Sequence, residues 1–355
     1  MAFSAFDHAM MRRALDLAAK GMYSTPPNPR VGCVVARGET LLGEGWHEKT
    51  GGPHAEVLAL RNVQAAGATV YVNLEPCNHE GRTPPCVDLL LGAKVTRVVA
   101  AMRDPNPEAA GGGERLAAAG VRVDYGLLEG EARELNIGFI SRVTRGRPWV
   151  RLKVAATLDG RTALPDGRSQ WITGPQARRD GHRWRARASA VLTGIGTVRA
   201  DDPQLTVREV DTPRQPLRVI VDSRLETPAS ARILQGERVL IFAGRAGELP
   251  NAEVVALPNP GGKVELPAML TELARRGVNE LHVEAGFRLN GSLVREGCVD
   301  EFLVYLNPSL LGDQAQGMLD LPLAGSLGER LRLRLISLER LGDDLRLLAR
   351  PAAAA

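Results

Sequence analysis

Two short segments constrain this chain more than anything else in it: Pro53-His54-Ala55-Glu56-Val57, and Glu75-Pro76-Cys77-Asn78-His79-Glu80-Gly81-Arg82-Thr83-Pro84-Pro85-Cys86. Together they offer one imidazole and two thiols, a borderline-soft ligand set suited to zinc. Any fold must then bring His54, Cys77 and Cys86 to one point. Three protein ligands leave the fourth tetrahedral position open to water, which is the catalytic arrangement and not the structural one. Zinc held this way brings its water toward a pKa of about 7. Glu56 follows His54 by two residues, so it can lie beside that water without binding the metal. There a carboxylate takes a proton from the water and gives it to a leaving amine. His47 and His79 are rival ligands. A fourth ligand from His79 would close the site and leave Glu56 without a purpose.

An H-x-E element followed by P-C-x-x-C marks zinc nucleobase deaminases. Here the second cysteine comes nine residues after the first (86 − 77), not three. The longer form resembles the deaminase half of the bifunctional riboflavin-biosynthesis deaminase–reductases, whose equivalent cysteine pair binds zinc. That resemblance implies that Asn28, in the N-P-x-V-G element, lines a pyrimidine pocket; read alone, Asn28 is turn chemistry between prolines.

At 355 residues the chain can bury two cores, and 24% charged residues are ordinary for a soluble protein. No window approaches the roughly 18 uncharged apolar residues that a membrane span needs. Asp7 and Asp16 interrupt the N-terminus, which does not read as a signal peptide. The cytosol is the expected compartment, and there Cys77 and Cys86 read as metal ligands better than as a disulfide. A net charge of +4 suits phosphate-bearing small molecules or an ordinary mixed surface. With 4% aromatic residues and no basic block, a nucleic-acid channel is not expected. A zinc-stapled binding protein without turnover is the rival from another class; four protein ligands instead of three would favour it. Homo-oligomerisation stays open.

Periodicity predicts an α/β chain of two domains, 1–145 and 146–355, with a linker at Arg142–Pro148. In the first, an N-terminal amphipathic helix precedes strands at Val31–Val35 and Thr40–Trp46. A helix is expected from His54, Cys77 is expected near a helix start, and one helix is expected over Glu131–Ile140. Alternating strands and helices predict a three-layer domain with a mainly parallel sheet. Asp104-Pro105-Asn106-Pro107 is a loop at the expected active-site end.

The second half opens with Trp149–Ala155, where apolar residues alternate with Arg151 and Lys153, and ends in a hairpin turning at Gly342-Asp343. The Ala352–Ala355 tail reads as frayed. No G-x-G-x-x-G follows an early strand, and Gly194-Ile195-Gly196-Thr197 is only a partial echo. The turn Val283-Glu284-Ala285-Gly286-Phe287 runs from a strand into a helix, so its free N–H groups can receive a cofactor phosphate. Arg185 and Arg208 are guanidinium forks suited to a substrate phosphate.

These features resemble the reductase half of the same family, which has a dihydrofolate-reductase-like fold. The first domain is correspondingly similar to cytidine deaminases. The resemblance implies NADPH contacts at Ala155, Thr162, Ala163, Leu164, Pro165, Trp171, Thr197, Asp201, Ser223, Gly286, Phe287, Arg288, Leu289 and Asn290. It implies substrate contacts at Ser169, Arg185, Leu205, Arg208 and Glu284. The implied activity is hydrolytic deamination of 2,5-diamino-6-(5-phosphoribosylamino)pyrimidin-4(3H)-one, followed by NADPH-dependent reduction of the product's ribosyl group to ribityl. Lys153, Asp201 and Glu284 are all candidate proton donors for the reduction.

Overall fold

The computed structural model describes residues 3–80, 84–237 and 239–352. Gly81, Arg82 and Thr83 of the cysteine segment, and 353–355 of the alanine tail, lie outside the described residues. The chain packs as two compact units, Met1–Gly146 and Arg147–Ala355.

The first unit runs α1 (Ala5–Lys20), β1 (Gly32–Arg37), β2 (Thr40–Trp46), α2 (Ala55–Ala59), β3 (Thr69–Val72), α3 (Cys86–Gly92), β4 (Arg97–Ala100), α4 (Gly112–Ala118), β5 (Arg122–Tyr125), α5 (Glu129–Leu135) and α6 (Ile137–Arg145). The sheet order is β2-β1-β3-β4-β5. Pairing is antiparallel from β2 to β3 and parallel from β3 to β5, so the sheet is half parallel instead of mainly parallel. A tight hairpin at Arg37–Thr40 imposes the antiparallel pair. Alternate strand residues feed two cores. One, with Val35, Val70, Val72 and Val98, packs Ala59 of α2, Leu90 of α3 and Leu116 of α4; the other, with Val34, Tyr71 and Val99, packs Met11 of α1 and Ala132 of α5. This is a three-layer unit.

Where one helix was expected over 131–140, two occur. The break is at Asn136, whose buried amide is taken by the Arg30 backbone: its Oδ1 accepts from the Arg30 N–H at 2.8 Å and its Nδ2 donates to the Arg30 carbonyl at 2.9 Å. Residues 142–145, expected as linker, are the last turn of α6.

Ser4 and Asp7 form a capping box on α1, and the buried Asp7 carboxylate also accepts from Tyr71 Oη at 2.8 Å and Arg97 Nη1 at 2.7 Å. Burial alone would raise its pKa, but bonds from Arg97, the Ser4 N–H and Tyr71 hold it well below the usual carboxylate range. A depressed carboxylate stabilises the fold above its unfolded pKa of about 4 and loses that contribution as pH falls toward the folded value. Asp7→Asn is therefore expected to lower stability by about 2–4 kcal/mol at pH 7. In thermal melts, the gap to wild type should narrow steadily below about pH 4; a constant gap would show that the charge is not its source.

The second unit runs β6 (Trp149–Thr157), β7 (Arg161–Ala163), α7 (Pro175–Arg187), β8 (Ala190–Gly194), α8 (Ile195–Asp201), β9 (Leu217–Val221), β10 (Val239–Ala243), β11 (Ala252–Ala256), α9 (Leu266–Arg275), β12 (Glu280–Val283), α10 (Phe287–Arg295), β13 (Glu301–Asn307), β14 (Gln316–Gly317), β15 (Leu333–Leu341) and β16 (Asp344–Pro351). Its nine-stranded sheet has the order β11-β10-β9-β8-β12-β6-β13-β16-β15. Strands β11 to β13 are parallel, and the closing hairpin β16-β15 is antiparallel. One face is apolar, with Val150, Leu152, Leu192, Leu281 and Val283 against α9 and α10. Beneath α7 the other face carries charge. Arg151, about 1% exposed, donates to Glu301 at 2.5 Å and Glu280 at 3.0 Å, with its guanidinium over the Trp184 ring. Arg187 shares the same Glu280 oxygen, and Arg350 holds the other oxygen of Glu301.

Candidate active sites

In the first unit Glu75 anchors the cysteine loop. Its carboxylate accepts from the backbone N–H groups of Asp104 (2.9 Å) and Gly113 (2.8 Å) and from Tyr125 Oη (2.9 Å). Gly112 lets α4 approach that loop: a Cβ there would stand 1.9 Å from the Pro76 carbonyl oxygen. Cys77 lies in the loop and not at a helix start as expected. Its sulfur nevertheless accepts from the N–H of Cys86, the first residue of α3, at 3.4 Å. His54 is the N-cap residue of α2, with its side chain turned away from the cap.

The result is one cluster. His54 Nδ1 stands 3.2 Å from Cys86 Sγ and 3.5 Å from Cys77 Sγ. The three ligand atoms lie within 4.8 Å of one another, and no other group joins them among the described residues. His47 is occupied elsewhere, with Nε2 3.1 Å from Asn28 Nδ2 and Nδ1 2.9 Å from the Pro53 carbonyl. His79 is exposed on the rim. Two soft sulfurs and one imidazole at this separation fit zinc.

The electrostatics favour the same ion. A hydrogen bond from Cys86 pulls the Cys77 pKa down to about 4, and His54 adds to the effect; Cys86, as the donor, is pushed up. The pair thus gives up its first proton easily, as a metal ligand must. Glu56 is 3% exposed; burial and then the Cys77 charge raise its pKa, and its carboxyl hydrogen-bonds Cys86. A cleft of about 460 Å³ opens above, lined by Asn28, His47, Glu56, Asp104, Asn106 and Phe139. Burial raises the Asp104 pKa to about 6. Phe139 and Arg142 had no sequence signal, because α6 reaches the cleft from more than 50 residues beyond the cysteines.

In the second unit several of the expected residues, among them Ala155, Thr197, Ser223, Glu284 and Gly286, lie at or just after the C-terminal ends of parallel strands, where open α/β sheets bind ligands. Ala155 lies near the end of β6, Thr162 and Ala163 on β7, and Leu164 and Pro165 in the turn after it. Thr197 and Asp201 lie on α8, Ser223 after β9, and Gly286 is the N-cap residue of α10. Gly286 has an ordinary φ of −81°, and a Cβ there would meet only Thr197 Oγ1, at 3.5 Å. Neither backbone nor packing demands glycine. That spare space at a helix N-terminus fits a cofactor phosphate.

Other placements revise the expected roles. Leu205 buries its side chain in a core cluster with Val198 and Ile220, so that side chain is not available to a ligand. Asn290 is buried and donates to the Ala285 carbonyl at 3.1 Å, bracing the turn from within. Phe287, Arg288 and Leu289 form the first turn of α10. Trp171 is 70% exposed under the Arg178 guanidinium, and Ser169 is half-buried in the preceding loop. Arg185 is committed internally: Nε and Nη2 grip Glu284, the latter at 3.0 Å, and Nη1 donates to the Thr206 carbonyl at 3.0 Å. The exposed Arg208, 3.2 Å from Thr206 Oγ1, is the guanidinium that faces outward. Burial would raise the Glu284 pKa, yet Arg185 and Lys153 hold it well below its ordinary value. Glu284 is thus ionised at neutral pH. Burial lowers the Lys153 pKa and raises that of Asp201.

Residues 4–102 match the cytidine and deoxycytidylate deaminase zinc-binding region, and residues 148–347 match the RibD C-terminal domain. The chain is 44% identical to riboflavin biosynthesis protein RibD of Escherichia coli over 358 residues, covering 96% of this chain and 98% of that one. A solved structure of RibD from Acinetobacter baumannii superposes with a TM-score of 0.92 at 43% identity, over 98% of this chain and 99% of that one. A diaminohydroxyphosphoribosylaminopyrimidine deaminase/5-amino-6-(5-phosphoribosylamino)uracil reductase from Thermotoga maritima gives 0.90 at 33% identity, over 98% and 99%.

Proposed function

The chain belongs to the RibD family of bifunctional riboflavin-biosynthesis deaminase–reductases, and on that premise we propose how its residues divide the two reactions. It deaminates a phosphorylated diaminopyrimidine and then reduces the ribosyl group of the product, using zinc and NADPH. The observation that carries the assignment is the convergence of His54, Cys77 and Cys86 with Glu56 buried beside them.

In the first unit His54, Cys77 and Cys86 hold zinc, which supplies the Lewis acidity that makes a water nucleophilic near neutral pH. Glu56 takes up the proton released as water adds to the carbon bearing the amine. It then hands that proton to the departing nitrogen, so that ammonia leaves. Burial sustains this exchange by raising the Glu56 pKa toward the working pH. Asn28, fixed by prolines and by His47, presents its amide to the pyrimidine.

In the second unit NADPH supplies the hydride. The first turn of α10, from Gly286 to Asn290, receives the cofactor diphosphate, with Thr197 beside it. Ala155, Thr162–Pro165, Trp171, Asp201 and Ser223 complete the cofactor wall. Arg208 takes the substrate phosphate, Ser169 and the Leu205 backbone flank the sugar, and Arg185 sets the orientation of Glu284. The two units serve as the two catalytic domains. No described helix is long and apolar enough to cross a membrane, and we place the reactions in the cytosol, on small phosphorylated pyrimidines.

The test follows ammonia release and NADPH oxidation together in zinc-loaded protein given the diaminopyrimidine substrate. Ammonia should appear without NADPH, and NADPH oxidation should require the deaminated product. Ammonia release that depends on NADPH would overturn the division of labour. Arg208→Ala should raise the KM of the reductase step about 10- to 100-fold, the worth of a charge-assisted hydrogen bond, with kcat and NADPH affinity close to wild type. A fall in kcat at unchanged KM would place Arg208 at the reacting carbon instead.

A further inference from the structure

We propose that His282 is a positioning residue of the reduction: its buried imidazole holds one oxygen of Glu284 and leaves the other for the substrate. The inference rests on the placement of Glu284 in the reductase site. His282 is the third residue of β12, and Glu284 follows that strand directly. Side chains two residues apart along a strand share a face, so Glu280, His282 and Glu284 stand in one row. In the sheet, β12 is the central strand of nine, between β8 and β6. His282 lies opposite Val191 on β8 and Arg151 on β6, and none of it reaches solvent.

The ring is short of partners. Among the described residues neither of its nitrogens completes a hydrogen bond. The guanidinium opposite, that of Arg151, is committed to Glu280 and Glu301. Nε2 stands 3.5 Å from Glu284 Oε1. Burial lowers the His282 pKa against the pull of Glu284, and Arg151 and Arg185 add to the lowering. The ring is therefore neutral at pH 7, with one N–H and one lone pair. An ionised carboxylate can only accept, so the proton belongs on Nε2, facing Glu284. A buried polar group without a partner costs stability, whereas leucine in its place would leave nothing unsatisfied. Such a side chain beside a reactive carboxylate points to function.

The two oxygens of Glu284 are held differently. Oε1 meets Arg185 Nε and His282 Nε2. Oε2 meets Arg185 Nη2 at 3.0 Å and Lys153 Nζ at 3.8 Å. The Lys153 side chain is 24% exposed where that of His282 is sealed, so Oε1 is the inner oxygen and Oε2 the outer one. A substrate group that bonds Oε2 competes with Arg185 for it. As the guanidinium fork yields, His282 keeps Oε1 in place, and the 3.5 Å approach closes to a hydrogen bond. Catalytic hydrogen bonds are often long before the ligand binds and tighten in the complex. The imidazole fixes the direction in which Glu284 presents Oε2, and its effect falls on kcat.

The test is NADPH oxidation by full-length, zinc-loaded protein given the deaminated product. His282→Leu, which has no donor, should lower the kcat of reduction about 10- to 100-fold, the worth of one hydrogen bond to a charged group. The KM values for product and NADPH should change little. The same variant should raise the melting temperature of the second unit by about 2–4 °C, since the unpartnered ring is gone. His282→Gln places an amide N–H the same number of bonds from the backbone as Nε2 and should restore most of kcat. Ammonia release should match wild type in both variants. A leucine variant with wild-type kcat would overturn the proposal. So would one that melts lower or fails to fold, which would mark His282 as structural, or a glutamine variant as slow as the leucine one. Glu284→Gln is the control for the site itself. Reduction at the wild-type rate in that variant would remove Glu284 from the reaction, and this inference with it; a slow Glu284→Gln beside a silent His282→Leu overturns the inference alone.

Discussion

Glu56→Gln is expected to release ammonia at least about a hundredfold more slowly than wild type, the usual scale of a general acid–base contribution, while keeping its zinc. The amide matches the carboxylate in size, so the buried niche beside Cys86 stays filled. What it lacks is the capacity to accept and return a proton. Cys77→Ser and Cys86→Ser should behave differently, losing metal and activity together, because a hydroxyl is a poor substitute for a thiolate on zinc. Metal analysis beside an ammonia assay separates the two behaviours. Near-normal ammonia release from a zinc-loaded Glu56→Gln protein would remove Glu56 from the proton path. NADPH oxidation with pre-formed deaminated product should be unchanged in all three variants, since the reductase site uses none of these residues.

Arg151→Ala is expected to cost about 3–5 kcal/mol of stability, the scale for removing one partner from a buried charge network. Both glutamates it bridges are about 1% exposed, and without it each keeps a single arginine, Arg187 for Glu280 and Arg350 for Glu301. Without Arg151 two carboxylates would face each other beneath α7, and the Trp184 ring would lose the cation stacked on it. Since small domains hold only about 5–15 kcal/mol in total, the second unit should unfold at markedly lower denaturant. Replacing the whole group, as Arg151→Met/Glu280→Gln/Glu301→Gln, should recover part of the loss, because the charges left over, Arg187 and Arg350, are on side chains 18% and 14% exposed and reach solvent, which the two glutamates do not. A single-variant cost below about 1 kcal/mol would mean that water reaches the network and screens it.

The two sites differ in how far the sequence announced them. His54, Glu56, Cys77 and Cys86 stand out because their chemistry is rare and their offsets are short; two short segments contain them all. The strand–helix alternation was legible for a similar reason, since side-chain period is a local property of the backbone.

The reductase side shows what distance hides. Arg185 looked like a phosphate ligand, yet it grips Glu284, 99 residues away, and Arg208 is left to face outward. Arg151, Glu280 and Glu301 sit on three strands that become neighbours only through the order β12-β6-β13. The break at Asn136 likewise depends on the Arg30 backbone, 106 residues earlier. The sequence by itself determined the residue types at the metal centre, the two successive α/β patterns and the closing hairpin, because those depend on neighbours along the chain. Tertiary structure alone decided which charges are neutralised internally and which remain for a ligand. A charge in a low-dielectric interior is governed by the groups within a few ångströms of it, and parallel-strand crossovers bring those groups from distant parts of the chain.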